Sequence, residues 1–377
     1  MLTGAVNCQA KGVTAVRRTS LLSVLLLAVV LALATVAAGC GGDDDEPEEA
    51  APAATGEATD TGTSEEEPPD EPVTIRMGWG IPAEEIKYVM MHRPEVAEHQ
   101  GTWYEIEWNQ FAGTALGVQG LAAGTLDCAT VGSLSVANGL DQGAEIVIIG
   151  EFIEERSPEN FSTAWIVTED SGIESLEDLR GKTVATSAIG GSTDYIQDFH
   201  IEEQAGLRAG RDYEKVELPF SQQQEALLAG RIDMGLFPQP FYGAIHGAAE
   251  VRDIFRLTDV QNPFVQLLNG CRRDFLEENS AAMERFLEDW VTISNWILEE
   301  ENREDVIAAT EEATQIPAEV LEGFLVTEDD FYRPENGAVN ISALQENWDF
   351  FREQGGIEQE LQVRDHVIEE FLPPGSE

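Results

Sequence analysis

The sequence predicts an α/β fold with two similar units and a helical C-terminal region. Between residues 73 and 149, short apolar strands alternate with helical segments, which is typical of sheets covered by helices. The same alternation begins again near residue 175 and continues to residue 236. From residue 280 onward the chain is mostly amphipathic helix. A length of 377 residues suits two lobes with additional segments.

The first unit is predicted from short apolar runs and the segments between them. A strand at 73–80 runs into a glycine-containing loop and is followed by a helix at 83–98. The alternating residues 104–108 predict a second strand. A short helix at 117–123, a third strand at 126–131 and a fourth at 146–149 complete this unit.

The second unit repeats the pattern after residue 175. A short helix at 175–179 precedes a strand at 182–187, and the sequence GGST at 190–193 opens a helix that continues to about residue 205. A strand at 216–218, a helix at 222–229 and a strand at 232–236 follow. The C-terminal region includes predicted helices at 283–298 and 303–313. Two such units suggest two lobes with a small-molecule site between them.

The N-terminal region resembles a lipoprotein export signal. Lys11, Arg17 and Arg18 precede an apolar run at 21–38, and small residues precede Cys40, the order found in signal peptides. We expect residues 1–40 to be the signal and Cys40 to be lipidated as the first residue of the mature protein. An uncleaved membrane anchor is the alternative. Residues 41–72 are acidic, small or proline and include no aromatic residue, so we expect a disordered tether.

The charge of the chain limits its partners. A formal net charge of -49 argues against nucleic acid, because phosphate binding requires clustered lysine and arginine. Adaptation to high salt and a genome poor in lysine codons are both compatible with this composition.

Two cysteines, Cys128 and Cys271, lie in the predicted folded part. We expect two buried thiols in strands. A disulfide in an oxidising compartment is the alternative, and the sequence alone does not give the distance that a bridge requires.

Four groups of residues in a fixed order resemble a known family. They are FAGT at 111–114 with GLAAGTLD at 120–127 and VGS at 131–133, then AWIV at 164–167 with SLEDLRGK at 175–182, then GGST at 190–193, and finally ALLAGRID at 226–233 with FPQP at 237–240. Over about residues 73–356 the chain resembles proteins of the periplasmic-binding-protein type II fold. The greatest likeness is to receptors for nitrate, sulfonates, taurine and thiamine-precursor pyrimidines.

This resemblance implies the architecture and the role. It implies two mixed sheets flanked by helices, with residues 73–166 and 265–377 in lobe 1, residues 167–264 in lobe 2, and hinge strands near Val167 and Val265. It also implies a lipid-anchored, monomeric solute receptor of an ABC importer, with a permease and its ATPase as partners. The ligand would be a small organic molecule or an anion, and no cofactor is implied.

The expected ligand site lies at the carboxyl ends of the strands, where open α/β sheets bind ligands. Backbone N–H groups at helix starts there favour an anionic group. No lysine or arginine lies in these loops except Lys182, and Gln239 replaces an acid that several relatives have, which argues against taurine-like zwitterions. The predicted ligand-binding residues are Trp79, Gly80, Ile81, Phe111, Gly113, Thr114, Gly132, Ser133, Ser187, Gly190, Gly191, Ser192, Thr193, Gln239 and Pro240.

The sequence offers little support for an enzyme. No histidine pair has metal-ligand spacing with a third ligand nearby, and nucleophile-elbow, P-loop and dinucleotide motifs are missing. We therefore expect no catalytic and no metal-binding residues. A thiamine-pyrimidine synthase on the same fold, which uses a histidine within the chain, and a ligand sensor without transport are the alternatives. The histidines are His92, His99, His200, His246 and His366.

Overall fold

A computed structural model of the chain describes residues 67–80 and 82–368. The predicted signal, Cys40, most of the tether and Ile81 lie outside the described residues. The strands are β1 (Val73–Trp79), β2 (Tyr104–Gln110), β3 (Cys128–Gly132), β4 (Ile146–Glu155), β5 (Ala164–Thr168), β6 (Thr183–Thr186), β7 (Glu214–Glu217), β8 (Gly235–Phe237), β9 (Val251–Arg256) and β10 (Phe264–Arg272).

The α-helices lie between and after these strands. They are α1 (Glu85–His92), α2 (Thr114–Ala122), α3 (Ser133–Asp141), α4 (Ser192–Ala205), α5 (Phe220–Leu228), α6 (Phe241–Ala248), α7 (Arg273–Glu278), α8 (Ser280–Trp296), α9 (Arg303–Thr314), α10 (Ala318–Leu321) and α11 (Ile341–Glu353). None of the described helices combines the length and the apolar character that crossing a membrane would require.

The larger sheet has five strands in the order β2-β1-β3-β10-β4. Strand β1 is parallel to β2 and β3, whereas β10 is antiparallel to both β3 and β4. Because β10 lies between them, β4 runs in the same direction as β1, β2 and β3. The carboxyl ends of these four strands therefore meet at one edge, which we call the large-sheet edge.

The smaller sheet has the order β8-β5-β9, with both pairs antiparallel. The parallel pair β6-β7 joins it through a parallel bridge between Val184 and Met234. Residue Met234 leads directly into β8, so β6 and β8 end at the same edge, which we call the small-sheet edge. Two mixed sheets flanked by helices confirm the predicted fold class.

Most predicted elements match the observed ones within about three residues. The helix predicted at 83–98 instead ends at His92, because Pro94 disfavours helical backbone in the residue before it. The fourth strand extends to Glu155 instead of ending at residue 149. Helices α3, α6 and α7 and strand β9 were not predicted.

The passages between the sheets also differ from the sequence prediction. The AWIV residues pair with β8 and β9, so the first passage lies within residues 156–163 and not near Val167. The second passage precedes Phe264, close to the predicted Val265. The division into two lobes that close on a ligand remains a proposal.

Cys128 and Cys271 form a disulfide. They face each other in the register of β3 and β10, and both side chains are fully buried. The expectation of two free thiols was wrong, because the antiparallel pairing of strands that are 143 residues apart in sequence brings the two sulfurs together. The disulfide links strand β10 covalently to strand β3 of the first unit.

Candidate functional site

The loops predicted to bind ligand at the large-sheet edge lie next to one another. Phe111 N donates to Trp79 O at 2.8 Å, which joins the loops after β1 and β2. Thr114 Oγ1 lies 2.9 Å from Ser135 Oγ, which joins the loop after β2 to the start of α3. A Cβ on Gly132 would lie 3.1 Å from Thr114 Oγ1, so this close approach favours glycine.

The predicted residues of the second unit gather at the small-sheet edge. Ser187 Oγ lies 3.2 Å from Thr193 Oγ1, so the loop after β6 folds back on the first turn of α4. Gln239 and Pro240 follow β8 at the same edge. This common edge results from the parallel arrangement of β6 and the segment that enters β8.

A hydrogen bond joins the two edges. Gln239 Nε2 donates to Asp329 O at 3.2 Å. Three residues later, Tyr332 exchanges backbone hydrogen bonds with Glu154, which lies near the carboxyl end of β4. Gln239 therefore lies where the two edges face each other.

Besides one oxygen each of the acids Glu151 and Glu154, three neutral buried groups at these edges have no hydrogen-bond partner among the described residues. They are Ser133 Oγ, Thr186 Oγ1 and Gln239 Oε1, on side chains exposed by 1%, 0% and 5%, respectively. Buried polar groups are normally hydrogen-bonded, so an unsatisfied set at facing edges is a candidate for ligand contact. Of the three neutral groups, one lies at the large-sheet edge and two lie at the small-sheet edge.

At two of the predicted loops, a glycine N–H group is already bonded to an acidic side chain of the protein. Gly80 N donates to Glu84 Oε1 at 2.8 Å, and Gly190 N donates to Asp194 Oδ2 at 2.9 Å. Both acids are buried. Each side chain lies four residues after the glycine and folds back onto it, so these two N–H groups are not available to a ligand.

Behind the loop after β1 lies a buried ion pair that the sequence analysis missed. Glu84 Oε2 accepts from Thr130 Oγ1 at 2.6 Å, Lys87 Nζ donates to Thr130 Oγ1 at 2.7 Å, and the two charges are 3.7 Å apart. Burial raises the pKa of Glu84 and lowers the pKa of Lys87 to about 8, and the opposite charge partly offsets each shift. The spacing of Glu84 and Lys87 within the predicted helix was the available signal.

A second missed group lies near the carboxyl end of β4. Glu151 and Glu154 are fully buried, and Arg156 Nε donates to Glu154 Oε2 at 2.6 Å. Asn340 N donates to Glu151 Oε2 at 2.9 Å. Burial, reinforced by the adjacent Glu154, raises the pKa of Glu151 well above its usual range. The edge therefore carries one carboxyl group whose neutral form burial favours and one that is paired with an arginine.

A third buried group connects α1 to the segment beside Gln239. Arg333 Nη2 donates to Glu85 Oε2 at 2.8 Å, and Arg333 Nη1 donates to Asp330 Oδ2 at 2.6 Å. All three side chains are buried. The guanidinium group is thus shared between two carboxylates and is not free to pair with a ligand.

Four further predicted residues lie at or beside these edges. The ring of Trp79 is partly exposed and meets Tyr88 edge-on, with centroids 6.1 Å apart. Gly113 is exposed, while Gly191 and Ser192 are half-buried at the start of α4. These positions stay predictions.

All five histidines belong to the described residues and lie outside these loops. His92, His99 and His246 each pair with an acidic side chain. His200 stacks on Phe255, and His366 lies beside Trp348. Among the described residues, no group of three or more histidine, cysteine or acidic side chains could hold a metal ion.

Comparisons with known proteins agree with this architecture. Residues 104–291 match the sequence profile of the NMT1/THI5-like family. No curated protein matches the chain.

Solved structures share the fold at low sequence identity. The periplasmic aliphatic sulphonate binding protein of Escherichia coli is 22% identical, with 79% of this chain and 92% of that chain covered and a TM-score of 0.64. The alkanesulfonate-binding protein of Xanthomonas axonopodis pv. citri is 18% identical (79% and 99% covered, TM-score 0.62). The periplasmic nitrate-binding protein of Synechocystis PCC 6803 is 12% identical (80% and 87% covered, TM-score 0.61). The chain therefore contains an NMT1/THI5-like domain and has the fold of the periplasmic sulfonate- and nitrate-binding proteins.

Proposed function

We propose that this protein is the extracytoplasmic solute-binding receptor of an ABC importer. It captures a small molecule between the two sheets and delivers it to a permease and its ATPase. The observation that carries the proposal is the set of buried, unpartnered groups at the facing edges: Ser133 Oγ, Thr186 Oγ1 and Gln239 Oε1. A ligand that bonds to all three would hold the edges together, as hinge closure requires.

Two further observations support a receptor over an enzyme. The named structural neighbours are periplasmic binding proteins for sulfonates and nitrate. The pairing and packing of all five histidines outside the predicted loops leave a histidine-dependent synthase without its residue at the site.

We expect a ligand to co-purify with the protein and to depend on the unpartnered hydroxyls. Native mass spectrometry of protein purified without denaturation identifies the ligand, and calorimetric titration measures its affinity. Ser133→Ala and Thr186→Val should each weaken binding by roughly 5- to 150-fold, because a buried ligand atom loses a hydrogen bond worth about 1–3 kcal/mol.

Matched substitutions distinguish ligand contact from general destabilisation. Ser294 and Thr310 are also buried, but their hydroxyls donate to Trp290 O and Val306 O within helices. Ser294→Ala and Thr310→Val should leave the affinity unchanged. Wild-type affinity in both Ser133→Ala and Thr186→Val would show that the site lies elsewhere.

We further propose that lipidated Cys40 anchors the receptor to the outer face of the membrane. Cys40→Ala should release the protein from the membrane fraction or leave an unprocessed precursor, because the acyl chains provide the attachment. Fractionation, immunoblotting and N-terminal sequencing measure this. Membrane attachment of a correctly processed Cys40→Ala protein would rule out the lipid anchor.

A further inference from the structure

We infer that the ligand presents an N–H or O–H donor to Gln239 Oε1 and is not an acceptor-only anion such as nitrate or an unsubstituted alkanesulfonate. This inference rests on the proposed solute-receptor function and narrows the class of solute. It separates this protein from the nitrate- and sulfonate-binding proteins that share its fold.

The orientation of the Gln239 amide follows from its neighbour. A backbone carbonyl only accepts hydrogen bonds, so the amide atom 3.2 Å from Asp329 O must be the nitrogen, Nε2. The other end of the amide is then Oε1, which can only accept. It is buried and unpartnered among the described residues, so a bound ligand satisfies it only by donating a hydrogen bond.

In two of the predicted ligand-binding loops, a glycine N–H group already donates to an acid of the chain. The N–H groups of Gly80 and Gly190 donate to the carboxylates of Glu84 and Asp194. An anion placed at either glycine would lie beside a buried negative charge, where a low effective dielectric strengthens the repulsion. A donor group placed there would instead meet an acceptor.

The buried or half-buried cations at these edges are also committed to acids. Lys87 lies beside Glu84, Arg156 pairs with Glu154, and Lys215 pairs with Asp194 at 2.7 Å. Arg333 is shared between two carboxylates. Pairing with a ligand anion would therefore require breaking an existing ion pair, which leaves a buried carboxylate unbalanced.

Matched pairs of probes that differ by one neutral hydrogen-bond donor test the inference. The pairs are ethanesulfonate with 2-hydroxyethanesulfonate and pyrimidine with 4-aminopyrimidine, and nitrate serves as a further acceptor-only probe. Each is titrated calorimetrically into the full-length protein after dialysis to remove any co-purified ligand. In at least one pair the donor-bearing member should bind at least tenfold more tightly than its partner, and nitrate should not bind.

Variants of Gln239 test whether this residue causes the preference for the donor-bearing probe. Gln239→Met removes the acceptor at similar volume and should abolish the difference between the members of the binding pair. Gln239→Glu keeps an acceptor and should preserve or increase the preference. The melting temperature of each ligand-free variant shows whether the fold is intact.

The outcomes distinguish this inference from the proposed function. Tighter or equal binding of ethanesulfonate, pyrimidine or nitrate, or an unchanged preference in Gln239→Met, would overturn the ligand class and leave the receptor function standing. Binding of no probe, by protein whose native mass spectrum also shows no co-purified ligand, would overturn the receptor function itself.

Discussion

Replacing both Cys128 and Cys271 by alanine is expected to lower the free energy of unfolding by about 3–5 kcal/mol. The disulfide closes a loop of 143 residues, and a cross-link that closes so long a loop strongly restricts the unfolded chain. The loss of packing adds little to this destabilisation, because alanine replaces a small buried side chain on each strand. Urea unfolding followed by tryptophan fluorescence measures the change.

Wild-type protein that is unfolded in urea in the presence of a thiol reductant is the matched control. Reduction removes the same cross-link without changing the sequence, so reduced wild type and the double variant should have similar midpoints. Equal stability of the oxidised wild type and the double variant would show that the bridge between β3 and β10 does not constrain the chain.

Replacing Arg333 by methionine is the second change with a large expected effect, about 3–5 kcal/mol of destabilisation. Arg333 is 6% exposed and neutralises Glu85 and Asp330 at 2.8 and 2.6 Å. Removing it leaves two buried carboxylates without a counter-ion, which costs far more than the net value of the ion pair. The same urea titration measures the change in the free energy of unfolding.

An exposed arginine provides the comparison. Arg231 pairs with Glu225 at 2.7 Å, but the two side chains are 60% and 84% exposed. Surface pairs of this kind contribute about 0–1 kcal/mol, so Arg231→Met should scarcely change stability. An equally small effect of Arg333→Met would mean that water reaches Glu85 and Asp330.

The candidate site was only partly predictable. Strand ends and glycine-rich turns are local signals, so the loops containing Gly80, Thr114, Ser133 and Gly190 could be identified in advance. The buried residues that lie behind these loops could not be identified from such local signals. Glu84 lies within a helix prediction that gave it no role, and its contact with Thr130 joins residues that are 46 positions apart.

The sequence by itself determined the α/β class and the repetition of two units, because both depend on local periodicity. Only the tertiary structure decided which charged and hydrogen-bonding groups meet at the candidate site. The N–H groups of Gly80 and Gly190, in two of the predicted loops, proved to be bonded to Glu84 and Asp194. Arg333 meets Glu85 across 248 positions of sequence. Charge balance in a buried site depends on contacts between distant segments, and hydrophobic patterning carries no information about which charges will meet.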